Sequence, residues 1–191
     1  MRYFLTLFFL LISNTAFCYS LINGSPSNDY PEIIQVRSSF NICTAVVVGP
    51  RVLVTAAHCL YQNKVIVSTG FKDEYEASCD IAGNKKMDIA FCKTDRKIEV
   101  RYASLAVNPP EKGEAITLAG FGCIKNKKGK ILSGGGVLRT GSSRISRFDD
   151  DKFNFGSLGD VVLCAGDSGG PAYKFLADPE TQSHKIYGIN S

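Results

Sequence analysis

Hydrophobic residues occur in short runs along most of the chain. Nine runs rich in Val and Ile, separated by Gly, Pro, Asn and Asp, cover residues 33–36, 43–48, 52–56, 64–69, 89–91, 115–119, 136–139, 161–164 and 185–189. Short apolar runs between turn-forming residues are typical of β-strands. No stretch of ten or more residues keeps the period of an amphipathic helix. The pattern therefore predicts an all-β protein, and by itself it does not choose between a sandwich and a barrel.

Composition and charge exclude several classes of protein. The chain has 191 residues, of which 45% are hydrophobic, enough to bury a sizeable core. Its net charge of +4 comes from 22 basic and 18 acidic side chains without a block of five like charges. The densest basic stretch, residues 125–130, is broken by Asn126 and Gly129, and we expect it to be a solvated loop. Neither a nucleic-acid partner nor stable membrane association is expected.

The first residues resemble a secretory leader. Arg2 precedes an apolar run over residues 3–12, and the small-residue pattern that ends at Cys18 follows. This run is too short to span a bilayer. Cys18 can also be interpreted as a lipid-attachment residue, although the bulky Phe17 before it fits poorly with that processing. The sequence predicts an exported protein, secreted or periplasmic.

The cysteine count agrees with export. Without the leader six cysteines remain, Cys43, Cys59, Cys79, Cys92, Cys123 and Cys164. An even count in an exported chain predicts three disulfides. No two cysteines have C-x-x-C spacing and the two histidines are far apart in sequence, so we expect no metal site.

Three glycines and a proline lie within the six residues 166–171 and imply a tight, irregular backbone. Such a path suits an oxyanion hole, in which the amides of Gly166 and Ser168 point at the oxygen that gains charge when a serine attacks a carbonyl group. An ordinary glycine-rich turn is the alternative. It explains the glycines but not the Asp167-Ser168 pair.

His58 is the candidate base. It directly follows the Val-rich run 52–56 and stands beside Cys59. A serine hydroxyl is a weak nucleophile and needs a base with a pKa near neutrality, which imidazole provides. The other histidine, His184, lies in a polar stretch and is predicted to be an exposed surface residue.

Two Asp-Ile-Ala triplets compete for the buried carboxylate that would orient the imidazole. Asp88 begins an apolar strand, where its carboxylate can be buried against His58. Asp80 leads into Gly83-Asn84, which predicts a turn. We therefore favour Asp88.

The segments TAAHC (55–59), MDIAF (87–91) and GDSGGP (166–171), in this order, resemble the signature segments of chymotrypsin/trypsin-like serine proteases. LING (21–24) resembles the mature N-terminus of that family, and GFG (120–122) resembles its Gly-Trp-Gly segment. The resemblance covers residues 21–191, and it implies two six-stranded antiparallel β-barrels with the active site between them, the second barrel incomplete. The leader is then residues 1–20, cut after Cys18 or Ser20.

The resemblance also implies the chemistry. His58 takes the proton of Ser168, Asp88 orients His58, and the amides of Gly166 and Ser168 hold the oxyanion. The freed amino group of Leu21 pairs with Asp167. No cofactor is needed, and the implied partners are protein or peptide substrates and protein inhibitors.

The resemblance also bears on substrate specificity. Val162 matches the floor of the family's specificity pocket and has no charge to pair with Lys or Arg, which favours cleavage after apolar or aromatic residues. Asp160, two residues earlier, leaves a preference for Lys or Arg before the cut open.

Ser191 matches a substrate-binding serine of the family, and the chain stops there, which indicates a truncated C-terminal segment. An exported endopeptidase is the favoured hypothesis; a non-catalytic or truncated homologue that binds peptides or proteins is the alternative.

The resemblance bears on disulfide pairing as well. Cys43 with Cys59 matches the bridge that secures the family's histidine loop. Cys79 and Cys92 have no family equivalent but bracket Asp88 and would close a short loop. In the family, Cys164 pairs with a later cysteine in the segment that this chain lacks, which would leave Cys164 unpaired. The resemblance also implies that Cys123, which follows GFG, lies beside the residues before Ser168, and we therefore predict a bridge between Cys123 and Cys164.

Overall fold

The computed structural model describes residues 21–37, 42–69, 73–83, 87–123, 125–127, 130–133, 135–150, 152–156, 161–175 and 183–191. The predicted leader and Asp160 lie outside these residues. The described residues contain no α-helix, only one short 3-10 helix at Ala57–Cys59. None of them forms a helix long and apolar enough to cross a membrane.

The structure is built from strands. They are β1 (Ser25–Pro26), β2 (Ile33–Arg37), β3 (Ile42–Gly49), β4 (Val52–Thr55), β5 (Lys64–Ser68), β6 (Glu74–Ile81), β7 (Ala90–Thr94), β8 (Ser104–Leu105), β9 (Ala115–Gly120), β10 (Lys125–Lys127), β11 (Lys130–Ser133), β12 (Arg139–Asp149), β13 (Lys152–Phe155), β14 (Pro171–Lys174) and β15 (Lys185–Ile189). The all-β prediction is confirmed.

The N-terminal half forms a closed antiparallel barrel in the order β2-β3-β4-β7-β6-β5. Side chains alternate across its wall: Ile34 and Val36 point into the barrel core, whereas Ile33 packs against the C-terminal half. Because both faces of β2 are covered, residues 33–36 are all buried instead of alternating between buried and exposed, and they include the polar Gln35.

The C-terminal half is a seven-stranded sheet in the order β1-β12-β9-β14-β15-β8, with β13 paired to β12. No barrel closes among its described residues, as expected for an incomplete second barrel. Its core contains Ile116 and Leu118 of β9 together with Leu21. Between the halves, Val46 and Val54 of the first barrel share an apolar cluster with Tyr173 of β14 and Phe121.

Some strand predictions were wrong in detail. The run 136–139 contributes only Arg139 to a strand, and the run 161–164 makes a single bridge, between Val162 and Ile22. The basic stretch 125–130 contains β10 and the start of β11, so it is part of a hairpin rather than a simple loop. The runs missed β6, in which Tyr75, Ala77 and Cys79 are buried between exposed polar residues, because alternation leaves no continuous apolar stretch.

Three disulfides join Cys43 to Cys59, Cys79 to Cys92 and Cys123 to Cys164, the pairs that the sequence predicts. The first ties β3 to the 3-10 helix after β4. The second joins directly paired residues of β6 and β7. The third links the segment after β9 to the loop before β14, so each half contains at least one bridge.

Candidate active site

His58 lies in the 3-10 helix that follows β4, and its ring is half exposed. The bridge between Cys43 and the adjacent Cys59 holds this turn against β3. The His58 amide donates to Asp88 Oδ1 at 2.8 Å, and the ring Nδ1 lies 2.5 Å from Asp88 Oδ2. Backbone and ring are therefore fixed by one carboxylate.

Asp88 lies just before β7, which pairs with β4 so that Thr55 faces Ala90. A third hydrogen bond reaches its carboxylate from Ser191 Oγ, 2.6 Å from Oδ2. Burial acts to raise the pKa of Asp88, but the hydrogen bonds from Ser191 and His58 outweigh it and hold the pKa below its ordinary value. An ionised Asp88 accepts a hydrogen bond from His58 Nδ1–H, which leaves Nε2 as the basic nitrogen.

Asp80, the competing aspartate, is exposed on β6 opposite Phe91 of β7. In the described part of the chain it makes no hydrogen bond to His58. The geometry thus brings only Asp88 of the two aspartates to the imidazole.

Ser168 lies in the loop before β14 and is partly buried. Its carbonyl oxygen accepts from the Thr44 amide at 2.8 Å and lies 3.7 Å from Cys59 Sγ, which places the serine beside the histidine turn. Within the described contacts, Ser168 Oγ makes no hydrogen bond to His58. Catalytic hydrogen bonds are often long before substrate binds.

The amides of Gly166 and Ser168 donate no hydrogen bond to any described residue. In the peptide group of each of these amides, the carbonyl oxygen accepts a hydrogen bond from another backbone amide. The carbonyl that shares a peptide with the Gly166 N–H accepts from the Cys123 amide at 2.9 Å, and the one paired with the Ser168 N–H accepts from Gly170 at 3.0 Å. In a trans peptide the N–H points away from the C=O. The hydrogen bonds to the two carbonyls therefore fix the directions in which the Gly166 and Ser168 N–H groups point.

Asp167 is fully buried between these two peptides. Its carboxylate accepts from the amides of Gly122 and Cys164, each at 2.8 Å. Burial raises the pKa of Asp167 to about 6, against the lowering effect of these hydrogen bonds and of nearby Arg139. The carboxylate therefore braces the loop from inside the protein.

The remaining predicted residues lie around this loop. Leu21 is completely buried in the core of the C-terminal sheet, and Ile22 bridges to Val162. No hydrogen bond joins Leu21 to Asp167 among the described residues. Val162 is 49% exposed, and Ser191 contacts Asp88.

A cavity of about 520 Å³ opens beside Asp88 and Ser191. Its walls include Phe153, Phe155 and Leu163, and its charged lining residues besides Asp88 are Asp149 and Lys152. A larger cavity of about 710 Å³, lined by residues of β5, β6 and β7 of the first barrel, contains none of the predicted site residues.

A model of the trypsin family matches residues 21–191. The chain belongs to the trypsin family. Among solved structures, it is similar to neuropsin, a serine protease expressed in the limbic system of mouse brain, with a TM-score of 0.64 and 21% identity. The match covers 78% of this chain and 81% of that chain, and it shows the shared fold. No curated protein matches.

One histidine of this trypsin-family chain differs from its prediction. His184 was expected at the surface, but its side chain is largely buried, and Nδ1 lies 2.6 Å from Oε1 of the buried Glu32. Tyr173 donates to the same oxygen at 3.0 Å. The polar neighbours of His184 in sequence did not reveal these partners, because they come from distant parts of the chain.

Sequence reasoning also missed Thr44. This residue is fully buried on β3, and its hydroxyl donates to the Gly166 carbonyl at 2.8 Å. A polar residue inside the apolar run 43–48 was the available indication. Cys43, Cys59 and His58 also place potential metal-ligand atoms within 4.8 Å of one another, but the two sulfurs are bonded to each other.

Proposed function

We propose that this trypsin-family chain is an exported serine endopeptidase that uses His58, Asp88 and Ser168. The observation that carries the proposal is the conjunction of an imidazole hydrogen-bonded to Asp88 with two amides, those of Gly166 and Ser168, that donate to no described residue. A non-catalytic scaffold has no need for either feature at Ser168.

In the proposed reaction, Ser168 Oγ attacks the carbonyl carbon of the substrate while its proton passes to His58 Nε2. Asp88 stabilises the imidazolium, and the Gly166 and Ser168 amides bind the oxyanion. The proton then goes to the leaving amine as the peptide C–N bond breaks. Water hydrolyses the acyl-enzyme by the same steps. The amino group of Leu21, once freed by processing, is proposed to pair with Asp167.

Labelling with an alkyl fluorophosphonate tests this function. Ser168 Oγ should bond to phosphorus as fluoride leaves. Ser168→Ala and His58→Ala should abolish labelling, because the triad acts as a unit. Asp88→Asn should slow it by about 10⁴-fold, whereas Asp80→Asn should have little effect. Circular dichroism of each variant checks that it is folded.

A folded wild-type protein that is never labelled would identify the chain as a non-catalytic homologue. The reverse order of the two aspartate variants would assign the third triad position to Asp80.

We further propose cleavage after Phe, Leu or Tyr rather than after Lys or Arg. Val162 offers no carboxylate to a basic side chain, and the cavity near Ser191 is walled by Phe153, Phe155 and Leu163. Peptides that differ only in the residue before the cut provide the measurement, and kcat/KM should favour the apolar members by at least about tenfold. Higher kcat/KM after Arg would overturn the specificity but leave the catalytic proposal intact.

A further inference from the structure

Thr44 is one of the residues through which the first barrel contacts the loop around Ser168. Its amide donates to the Ser168 carbonyl at 2.8 Å, and its own carbonyl accepts from Thr55 Oγ1 at 2.8 Å. Any residue at position 44 can form these backbone hydrogen bonds. The side-chain contacts depend on the hydroxyl, which donates to the Gly166 carbonyl and accepts from the Phe121 amide at 3.0 Å.

Three consecutive peptide groups connect Ala165 to Ser168, and all three carbonyls are held. The first and third accept from the backbone amides of Cys123 and Gly170. The middle carbonyl, that of Gly166, accepts from a side chain, Thr44 Oγ1. The two amides that donate to no described residue, those of Gly166 and Ser168, flank this middle peptide.

We propose that the Thr44 hydroxyl is a positioning group for the oxyanion hole. It fixes the peptide between the two oxyanion donors, so that the Gly166 and Ser168 amides point to the same place before substrate arrives. The inference rests on the proposed function, since it assigns to Thr44 a part in the same reaction. Thr44 does not contact the reacting atoms; it acts through Gly166.

The physical reason is the conformation of Gly166, whose φ of 103° is freely available to glycine but is one of many that glycine adopts. Without the Thr44 hydrogen bond, the peptide between Gly166 and Asp167 is held on one side only, by its own N–H, which donates to the Cys164 carbonyl at 3.0 Å. The adjoining amides are then less firmly oriented. A preorganised oxyanion site loses its advantage when its donors must be ordered during the reaction.

Three variants separate positioning from general stability. Thr44→Val keeps the shape and removes the hydroxyl, and Thr44→Ser keeps the hydroxyl. Thr55→Val is the matched control, because it removes a buried hydroxyl that donates to the Thr44 carbonyl and is hydrogen-bonded to neither oxyanion peptide. The measurements are the rate constant and the dissociation constant of fluorophosphonate labelling, together with hydrogen exchange of the Phe121 amide.

We expect Thr44→Val to lower the labelling rate constant by about 100-fold with little change in the dissociation constant. A decrease of this size is typical when one hydrogen-bond donor of an oxyanion hole is removed. Thr44→Ser should keep most of the wild-type labelling rate, and Thr55→Val should be labelled nearly as fast as the wild type. Of the three variants, only Thr44→Val should show faster hydrogen exchange of the Phe121 amide. Equal labelling by Thr44→Val and Thr55→Val would overturn the inference alone. An unlabelled wild type would overturn the proposed function, and the inference with it.

Discussion

Two aspartates near Ser168 illustrate how surroundings decide the behaviour of one residue type. Asp88 is partly exposed and receives hydrogen bonds from His58 and Ser191, which favour its charged form. Asp167 is fully buried, and desolvation raises its pKa to about 6 although two backbone amides donate to it. Asp88 is therefore ionised at neutral pH, whereas Asp167 gains a proton in mildly acidic solution.

This difference predicts a pH dependence of stability for the unprocessed chain, in which Leu21 has no free amino group to pair with Asp167. The pKa of Asp167 is about 6 in the folded protein and 3.8 in the unfolded reference, so the folded state binds more protons between these values. The contribution of Asp167 to stability should therefore be fully present below about pH 4 and be lost as pH rises through 6, a change of about 3 kcal/mol.

Urea denaturation of Ser168→Ala and of Ser168→Ala with Asp167→Asn, at pH 4 and 7, provides the measurement. The inactive background prevents autolysis. The unfolding free energy of the parent should gain about 3 kcal/mol over that of the double variant at the lower pH. Parallel pH profiles would show that Asp167 titrates normally.

At the scale of elements, the loop before β14 is packed so closely against β3 and β4 that no side chain fits at Gly169. A Cβ atom at Gly169 would overlap the carbonyl oxygen of Thr44 and the hydroxyl of Thr55. The Gly169 amide donates to the Asn190 carbonyl at 2.8 Å, which ties the loop to the end of β15 as well. The glycines of this segment thus allow three strands to meet at the site.

Gly169→Ala should destabilise the protein by more than about 3 kcal/mol, because the strain of a positive φ adds to a backbone collision. Gly113→Ala is the matched control. Its φ of 84° is nearly that of Gly169, 83°, but a Cβ there meets nothing within 4 Å. The control should lose about 1 kcal/mol. Urea denaturation compares them; equal losses would mean that the loop moves to accept a methyl group.

At the scale of the whole molecule, two histidine–carboxylate pairs join segments that are distant in the chain. His58 and Asp88 form one at the open mouth of the site, with the His58 ring 50% exposed. His184 and Glu32 form the other between the two halves, with only 16% of the His184 side chain and 2% of the Glu32 side chain exposed. Such different burial should separate their effects on catalysis and on stability.

His184→Ala should cost about 3 kcal/mol of stability, because it leaves the buried Glu32 without its imidazole partner. His58→Ala should cost less than about 1 kcal/mol, since an exposed pair contributes little. The effects on fluorophosphonate labelling should be reversed: lost in His58→Ala and retained in His184→Ala below the unfolding transition. Denaturation and labelling of both variants are the checks, and a stable, unlabelled His184→Ala protein would contradict the assignment.

The sequence by itself determined the strand-rich fold and proposed the residues of the candidate site. Short Val- and Ile-rich runs between turn residues are local patterns, and they marked β2, β3, β4 and β9 correctly. The order of the segments around His58, Asp88 and Ser168 was also visible without coordinates, because each motif is contiguous.

Only the tertiary structure decided which distant groups touch. The burial of His184 depends on Glu32 and Tyr173, and the contact of Thr44 with Gly166 joins residues 122 positions apart. Side-chain alternation in β6 hid a strand from a search for apolar runs. Local sequence encodes backbone preference and periodicity, whereas hydrogen bonds across the junction of two sheets arise only when the whole chain has folded.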